Sequence, residues 1–186
     1  MNNDKKRHVI PGEVIVSGPY RAEQNTVMEG DKILATTIGL SDIHDVSVKV
    51  IPLSGGYYPK DDVLVIGKII SHSAMSWEVD INSCYSGMLP ATDVFGRDFS
   101  SSSDDLTSKL DKGDLIVTRI VNSDKTRDPL LTISGRELGK IDSGELVYIS
   151  PSKVARLIGK RGSMIQMIES GTNAQITIGQ NGLVVV

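Results

Sequence analysis

Residues 154–171 read V-A-R-L-I-G-K-R-G-S-M-I-Q-M-I-E-S-G, two apolar-periodic stretches interrupted by Gly159-Lys160-Arg161-Gly162. Val154, Leu157 and Ile158 stand at helical spacing before the interruption, and Met164, Ile165, Met167 and Ile168 follow it. The spacing predicts two helices, each with a buried face, joined by a tight glycine corner. Ser163 and Gln166 fit a capping box that restarts the chain as helix directly after Gly162, and Gly171 supplies a C-terminal stop. Two glycines enclosing two cations let backbone N–H groups and positive side chains come close to phosphates.

Downstream, residues 174–178 alternate with Ile176 and Ile178 on one face, Asn181-Gly182 is a hairpin turn, and 183–186 form a second strand. Upstream, 145–150 read as the strand that opens the unit. Strand, helix, G-K-R-G, helix, strand, strand resembles the eukaryotic-type KH fold, and Ile158 to Gly162 resemble its signature. The resemblance implies a groove for single-stranded nucleic acid, with Gly159, Lys160, Arg161 and Gly162 at the backbone and Lys153, Arg156 and Ile158 beside them. That fold normally closes with a third helix on its sheet, and this chain stops at Val186. Either the end is truncated or a neighbour covers the sheet. An ordinary helix–turn–helix corner is the bland alternative. Charge favours the first reading: residues 151–186 hold Lys153, Arg156, Lys160 and Arg161 against Glu169 alone, in a chain of formal net charge −3. Overall acidity argues against a coating, non-specific binder, whereas a local basic groove suffices for a specific footprint.

The chain has 186 residues with few aromatics, and its pattern breaks into three pieces, 1–62, 63–138 and 139–186. No apolar run is long enough to span a bilayer, and the first nine residues lack a signal-peptide core. A soluble, cytoplasmic protein with no membrane partner is expected. A single cysteine, Cys84, can build neither a disulfide framework nor a zinc cluster, and no cofactor is expected.

Residues 63–138 carry five strand-like runs, 63–70, 77–81, 86–89, 115–122 and 130–134, with a long polar connection between the third and fourth. That pattern predicts a small Greek-key barrel of the OB type. The text Val65-Ile66-Gly67-Lys68-Ile69, Ser86-Gly87-Met88-Leu89-Pro90 and Leu130-Leu131-Thr132-Ile133-Ser134 resembles an S1 RNA-binding domain. Many S1 domains stack bases on aromatics of the first two strands, each worth roughly 1–3 kcal/mol. Here Met75, Trp77 and Glu78 occupy the matching region, so at most one aromatic remains. RNA contacts would then fall to cations, with Lys68, Arg97, Arg119, Lys125 and Arg127 as candidates. For each the alternative is a solvated surface charge, and for Trp77 a half-buried strand residue.

The first piece is β-rich as well, with strands expected at 9–14, 32–38 and 46–53 and turns at Gly30-Asp31 and Gly55-Gly56. It runs into the barrel through Pro52-Leu53-Ser54-Gly55-Gly56-Tyr57-Tyr58-Pro59-Lys60. An N-terminal β domain, an S1 barrel and a KH module without its last helix make a mainly β chain with a small α/β module. This order, with Pro11-Gly12-Glu13 near the start, resembles the S1/KH cap subunits of the archaeal RNA exosome over nearly the whole chain. The resemblance implies a non-catalytic subunit that binds single-stranded RNA within a trimeric cap on a ring of RNase PH-like subunits. The N-terminal domain would dock on the ring, the barrels would face the pore, and the ring would carry phosphorolytic 3′-to-5′ degradation or processing.

Two other functions compete. A metal-dependent nuclease needs converging carboxylates, and Asp61-Asp62, Asp104-Asp105, Asp124 and Asp128 are the richest acidic spots. They fall in turns and loops, where aspartate serves local hydrogen bonding. His8, His44 and His72 have no ligand spacing, and Cys84 reads as a structural thiol. A free-standing S1/KH regulator of translation or RNA turnover is the other competitor. The RNA-binding tail of a polynucleotide phosphorylase usually runs KH before S1, the reverse of this order.

Overall fold

The computed structural model describes residues 6–96, 99–101, 104–124 and 127–186. The chain divides into two compact units, one ending at Gly55 and the other beginning at Gly56.

The first unit has seven strands: β1 (His8–Val9), β2 (Val14–Ser17), β3 (Arg21–Ala22), β4 (Thr26–Glu29), β5 (Lys32–Ala35), β6 (Gly39–His44) and β7 (Ser47–Pro52). They form two sheets, ordered β1-β6-β7-β3 and β2-β5-β4, around Val9, Ile15, Ile33, Ala35, Val48 and Val50. The strand expected over 9–14 is broken in two by a turn at Pro11-Gly12, where Pro11 has no N–H for a ladder and Gly12 takes φ +83°. β6 escaped the sequence reading because its buried positions include Ser41 and Asp42, which spoil an apolar alternation. Ser41 is held instead by Arg7, whose carbonyl accepts from the Ser41 amide at 2.9 Å.

The second unit begins with a barrel of β8 (Leu64–His72), β9 (Ser76–Asp80), β10 (Ser86–Pro90), β11 (Leu115–Asn122) and β12 (Leu130–Thr132). β12 pairs parallel with β10 and antiparallel with β11, which closes the circuit β8-β9-β10-β12-β11-β8 and leaves the OB connectivity the five runs predict. Helix α1 (Ala91–Phe95) and a 3-10 turn at Leu106–Ser108 lie in the long connection, and Leu106 and Leu110 join the barrel core. Trp77 is fully buried there, its indole N–H donating to the Leu110 carbonyl at 3.0 Å and its ring stacked on Phe95.

A further strand, β13 (Gly139–Ile141), adds antiparallel to the outer edge of β11, so this stretch, grouped with the third piece in the sequence, lies in the barrel sheet. Lys140 bridges Asp114 at 2.6 Å across that pairing. The KH-like module follows as β14 (Leu146–Tyr148), α2 (Pro151–Ile158), α3 (Ser163–Thr172), β15 (Thr177–Ile178) and β16 (Leu183–Val185), with sheet order β14-β16-β15. Two local expectations change. No side chain caps α3, whose N-cap is Gly162 in the left-handed region, so the Ser163–Gln166 capping box does not form. The helix runs past Gly171 and ends at Asn173, which takes the left-handed conformation (φ +55°) as asparagine can.

The sheet is covered by a neighbour within the same unit. Leu183 and Val185, two residues apart and so on one face, pack with Leu146 against Ile66, Leu115 and Ile141 of the barrel. The joint is closed by Asn181, buried completely in the turn between β15 and β16. The β8–β9 ladder stops at Lys68 opposite Asp80, which leaves the peptide groups of Leu64 and Ile66 without a strand partner on that edge. Asn181 replaces it. Its Oδ1 accepts from the Ile66 amide at 3.3 Å, while its Nδ2 donates to the carbonyls of Ile66 at 2.7 Å and Ile81 at 2.8 Å. The Gln180 amide donates to Leu64 at 2.9 Å, and Asn82 Nδ2 donates back to the Asn181 carbonyl at 2.8 Å. Gly179 permits this approach, since a Cβ there would lie 2.6 Å from the Ile66 nitrogen.

Replacing Asn181 with alanine strands three buried backbone groups, each costing roughly 1–3 kcal/mol. Asn181→Ala is therefore expected to destabilise the second unit by about 3 kcal/mol or more in urea unfolding followed by Trp77 fluorescence. Asn181→Asp, which keeps the acceptor but turns a buried carboxylate oxygen toward the Ile66 and Ile81 carbonyls, should destabilise at least as much. At the β11–β13 pairing, hydrogen bonds from Lys140 and from the Asp111 amide hold the Asp114 carboxyl below its ordinary value. A depressed folded pKa stabilises above the unfolded value and is lost as pH falls. Asp114→Asn should thus lower the urea midpoint at neutral pH, and the difference should vanish as pH drops well below the ordinary aspartate value of about 3.9.

Candidate nucleic-acid interface

The glycine corner between α2 and α3 is open to solvent. Lys160 and Arg161 are exposed, as are Lys153 and Arg156 on α2, and none of the four pairs with a carboxylate among the described residues. The one acid nearby, Glu169, is turned to structural use, accepting from the Ile176 amide at 3.0 Å. Four exposed cations against this one carboxylate leave the surface around the corner locally positive.

Backbone geometry explains the two glycines. Gly159 takes φ +74° and packs on the first turn of α3, where a Cβ would stand 2.9 Å from the Met164 amide nitrogen. Gly162 takes φ +79° and Arg161 φ +55°, a conformation that costs a bulky residue roughly 1–2 kcal/mol. Arg161 is exposed there, the Ser163 amide donates to the Lys160 carbonyl, and no side chain caps α3. Ile158 is half-buried at the end of α2 and Val154 fully buried one turn before it, so the helix turns its apolar stripe inward and its cations out.

The barrel candidates separate. Lys68 is exposed in a row with Asp80 and Ser86 across β8, β9 and β10. Arg119 is ion-paired to Asp62 at 2.8 Å. Arg127 is exposed in the loop before β12, while Arg97 and Lys125 lie outside the described residues. Trp77 can stack no base, being buried in the core. The outward face of β9 carries Glu78 instead, kept ionised by hydrogen bonds from Ser71 and Ser86 that lower its pKa. A fixed negative charge on this face opposes tight phosphate binding.

The acidic spots are engaged locally. Asp61 accepts from Ser123 N at 2.6 Å and Oγ at 2.8 Å, Asp104 accepts from the Ser100 amide, and Asp105 caps the 3-10 turn through Thr107. Among the described residues, no three histidines, cysteines or acids gather in a form that could hold a metal ion, and no helix is long and apolar enough to cross a membrane. Sequence reasoning missed Asn181, which it took only as a turn residue. It also passed over Tyr58, an exposed aromatic whose signal was its rarity in an aromatic-poor chain.

Residues 6–54 match a family model described as the exosome RNA binding protein RRP4 N-terminal domain, and residues 144–186 match the KH domain model. The chain is 66% identical over 183 residues to the exosome complex component Rrp4 of Nitrosopumilus maritimus, covering 98% of this chain and 81% of that one. It is 44% identical to the protein of the same name from Methanobrevibacter smithii, covering 97% of this chain but only 59% of the relative. A solved structure assigned as an exosome complex RNA-binding protein superposes with a TM-score of 0.67 at 44% identity, over 70% of this chain and 75% of that one. With two matched domains and close relatives over nearly its whole length, the chain belongs to the Rrp4 family of exosome components.

Proposed function

We propose that this chain is a non-catalytic, RNA-binding cap subunit of an exosome, working in the cytoplasm, that captures single-stranded RNA and directs its 3′ end into a phosphorolytic ring of RNase PH-like subunits. The observation that carries this reading is the solvent-open Gly159–Gly162 corner, ringed by cations that have no acid partners among the described residues. The unit ending at Gly55 serves as the ring-docking domain, the barrel with β13 lines the path, and the KH-like module from β14 to Val186 captures the RNA, with three protomers sharing the cap.

The chemistry required of such a subunit is grip without retention. Lys160, Arg161 and the α3 amides hold the sugar-phosphate chain, with Lys153 and Arg156 extending the positive surface along α2. A KH groove spans about four nucleotides, so one module binds weakly. Joining it to the barrel and to two further protomers raises the effective concentration of each later contact. Lys68 and Arg127 offer the barrel's cations, whereas Glu78 on the same fold keeps the strand from being trapped. The engaged acids and the rigid barrel suit guiding RNA rather than cutting it.

Lys160→Asp together with Arg161→Asp, both exposed, is expected to weaken binding of single-stranded RNA by at least about tenfold, with the salt dependence of log K flattened by about 0.7 for each phosphate that is no longer neutralised. Filter binding across a salt series checks this, and an unchanged isotherm would remove the corner from the mechanism. The purified parent chain, incubated alone with labelled RNA, magnesium and phosphate, should leave the RNA intact. It should also co-purify with RNase PH-like ring subunits, in both parent and double-substituted forms.

A further inference from the structure

The barrel lost its expected stacking residue when Trp77 went to the core, yet it keeps an aromatic at the surface elsewhere. Tyr58 is 45% exposed and meets Tyr85 edge to face, with ring centroids 5.8 Å apart and planes at 89°. Such a contact fixes a ring in place while covering at most one of its faces. The two tyrosines do not stand alone. Tyr58 lines an open groove of about 500 Å³ with Tyr57, Asp80, Asn82, Ser83 and Cys84, a size within the roughly 300–1,000 Å³ range of small-ligand sites. Tyr57 backs it against the barrel core, and its backbone bridges to Ser83 on the opposite wall.

Position separates this groove from an incidental surface hollow. Asn82, in its floor, is the residue that donates to the Asn181 carbonyl, so the groove abuts the seam between the barrel and the KH-like module. Asp80, on its rim, stands in register with Lys68 at the start of the exposed barrel face. A strand passing from the glycine corner's module onto the barrel therefore meets a fixed aromatic ring, with Asp80 in the groove's lining and Lys68 one cross-strand step beyond it, and an aromatic face holds unpaired bases regardless of sequence.

We infer that the groove lined by Tyr58 is a stacking site for an unpaired nucleobase of bound RNA, with Tyr58 as the platform and Tyr85 bracing its ring; this rests on the RNA-binding role proposed above. Stacking contributes through the base and not through the phosphate, so it should leave a signature distinct from that of the glycine corner. Its removal lowers affinity without changing the number of counterions released.

The test uses the full chain, a fluorescein-labelled single-stranded oligoribonucleotide of mixed sequence, and Cys84, the single cysteine, exposed in the groove, as a local reporter. Tyr58→Ala is expected to raise Kd by about fivefold or more with the salt slope unchanged. Tyr58→Phe should bind like the parent, because the ring rather than the hydroxyl does the stacking. Bound RNA should slow maleimide labelling of Cys84 in the parent and not in Tyr58→Ala. The proposal is overturned if Tyr58→Ala binds like the parent and RNA leaves Cys84 labelling unchanged while Lys160→Asp/Arg161→Asp still weakens binding; the RNA-binding role then survives without this site. If Tyr58→Ala binds RNA normally but no longer co-purifies with ring subunits, the groove is a protein contact and the proposal is equally overturned. A parent chain that binds no RNA at all would instead sink the proposed function itself.

Discussion

One buried side-chain amide lies at the centre of the joint between the two halves of the second unit. Asn181 behaves as a detached peptide group, accepting from one backbone amide of β8 and donating to two carbonyls where the β8–β9 ladder has run out. Strand edges left open inside a protein are costly, and the usual cures are a further strand or water. Here the β15–β16 turn supplies the missing partner. Because that turn belongs to the KH-like module, satisfying the barrel's hydrogen bonds also sets where the module sits, and Leu183 and Val185 then find Ile66, Leu115 and Ile141 to bury against.

That docking answers how a three-stranded sheet can be stable when one of its faces would otherwise be apolar and wet. The barrel covers it. The residues that dock the sheet on the barrel do not include the glycine corner, which stays exposed. The corner holds backbone strain at Arg161 and forgoes a side-chain cap on α3, both local losses of the kind that gather at binding sites. Stability given up there is small beside what Asn181 and the Trp77-centred barrel core supply.

Charge is distributed with the same logic. In the second unit Asp62 is paired with Arg119 and Asp114 with Lys140, while Asp61 and Asp105 are hydrogen-bonded in turns. The cations of α2 and the corner have no such partners among the described residues, so an acidic chain presents one locally basic surface. Glu78 stands apart as an exposed carboxylate on the outward barrel face, held ionised by Ser71 and Ser86.

Periodicity and turn chemistry made the architecture legible in advance. The five barrel runs, the two helices about Gly159–Gly162 and the Asn181-Gly182 turn all stand where spacing placed them, since each depends on local preference and on one buried face. β6 stayed hidden because its buried Ser41 and Asp42 are polar, and the α3 cap was misread because Gly162 in the left-handed region leaves Ser163 already inside the helix. What the residues alone determined, then, is the order of elements, the charge of the corner and membership of an RNA-handling family. Which surfaces remain free was decided only by the tertiary structure. Whether Trp77 stacks a base or fills a core, whether Asn181 merely turns the chain or bridges two modules, and whether the sheet is bare or covered all depend on contacts between residues as far apart as Ile66 and Asn181, which no local pattern encodes.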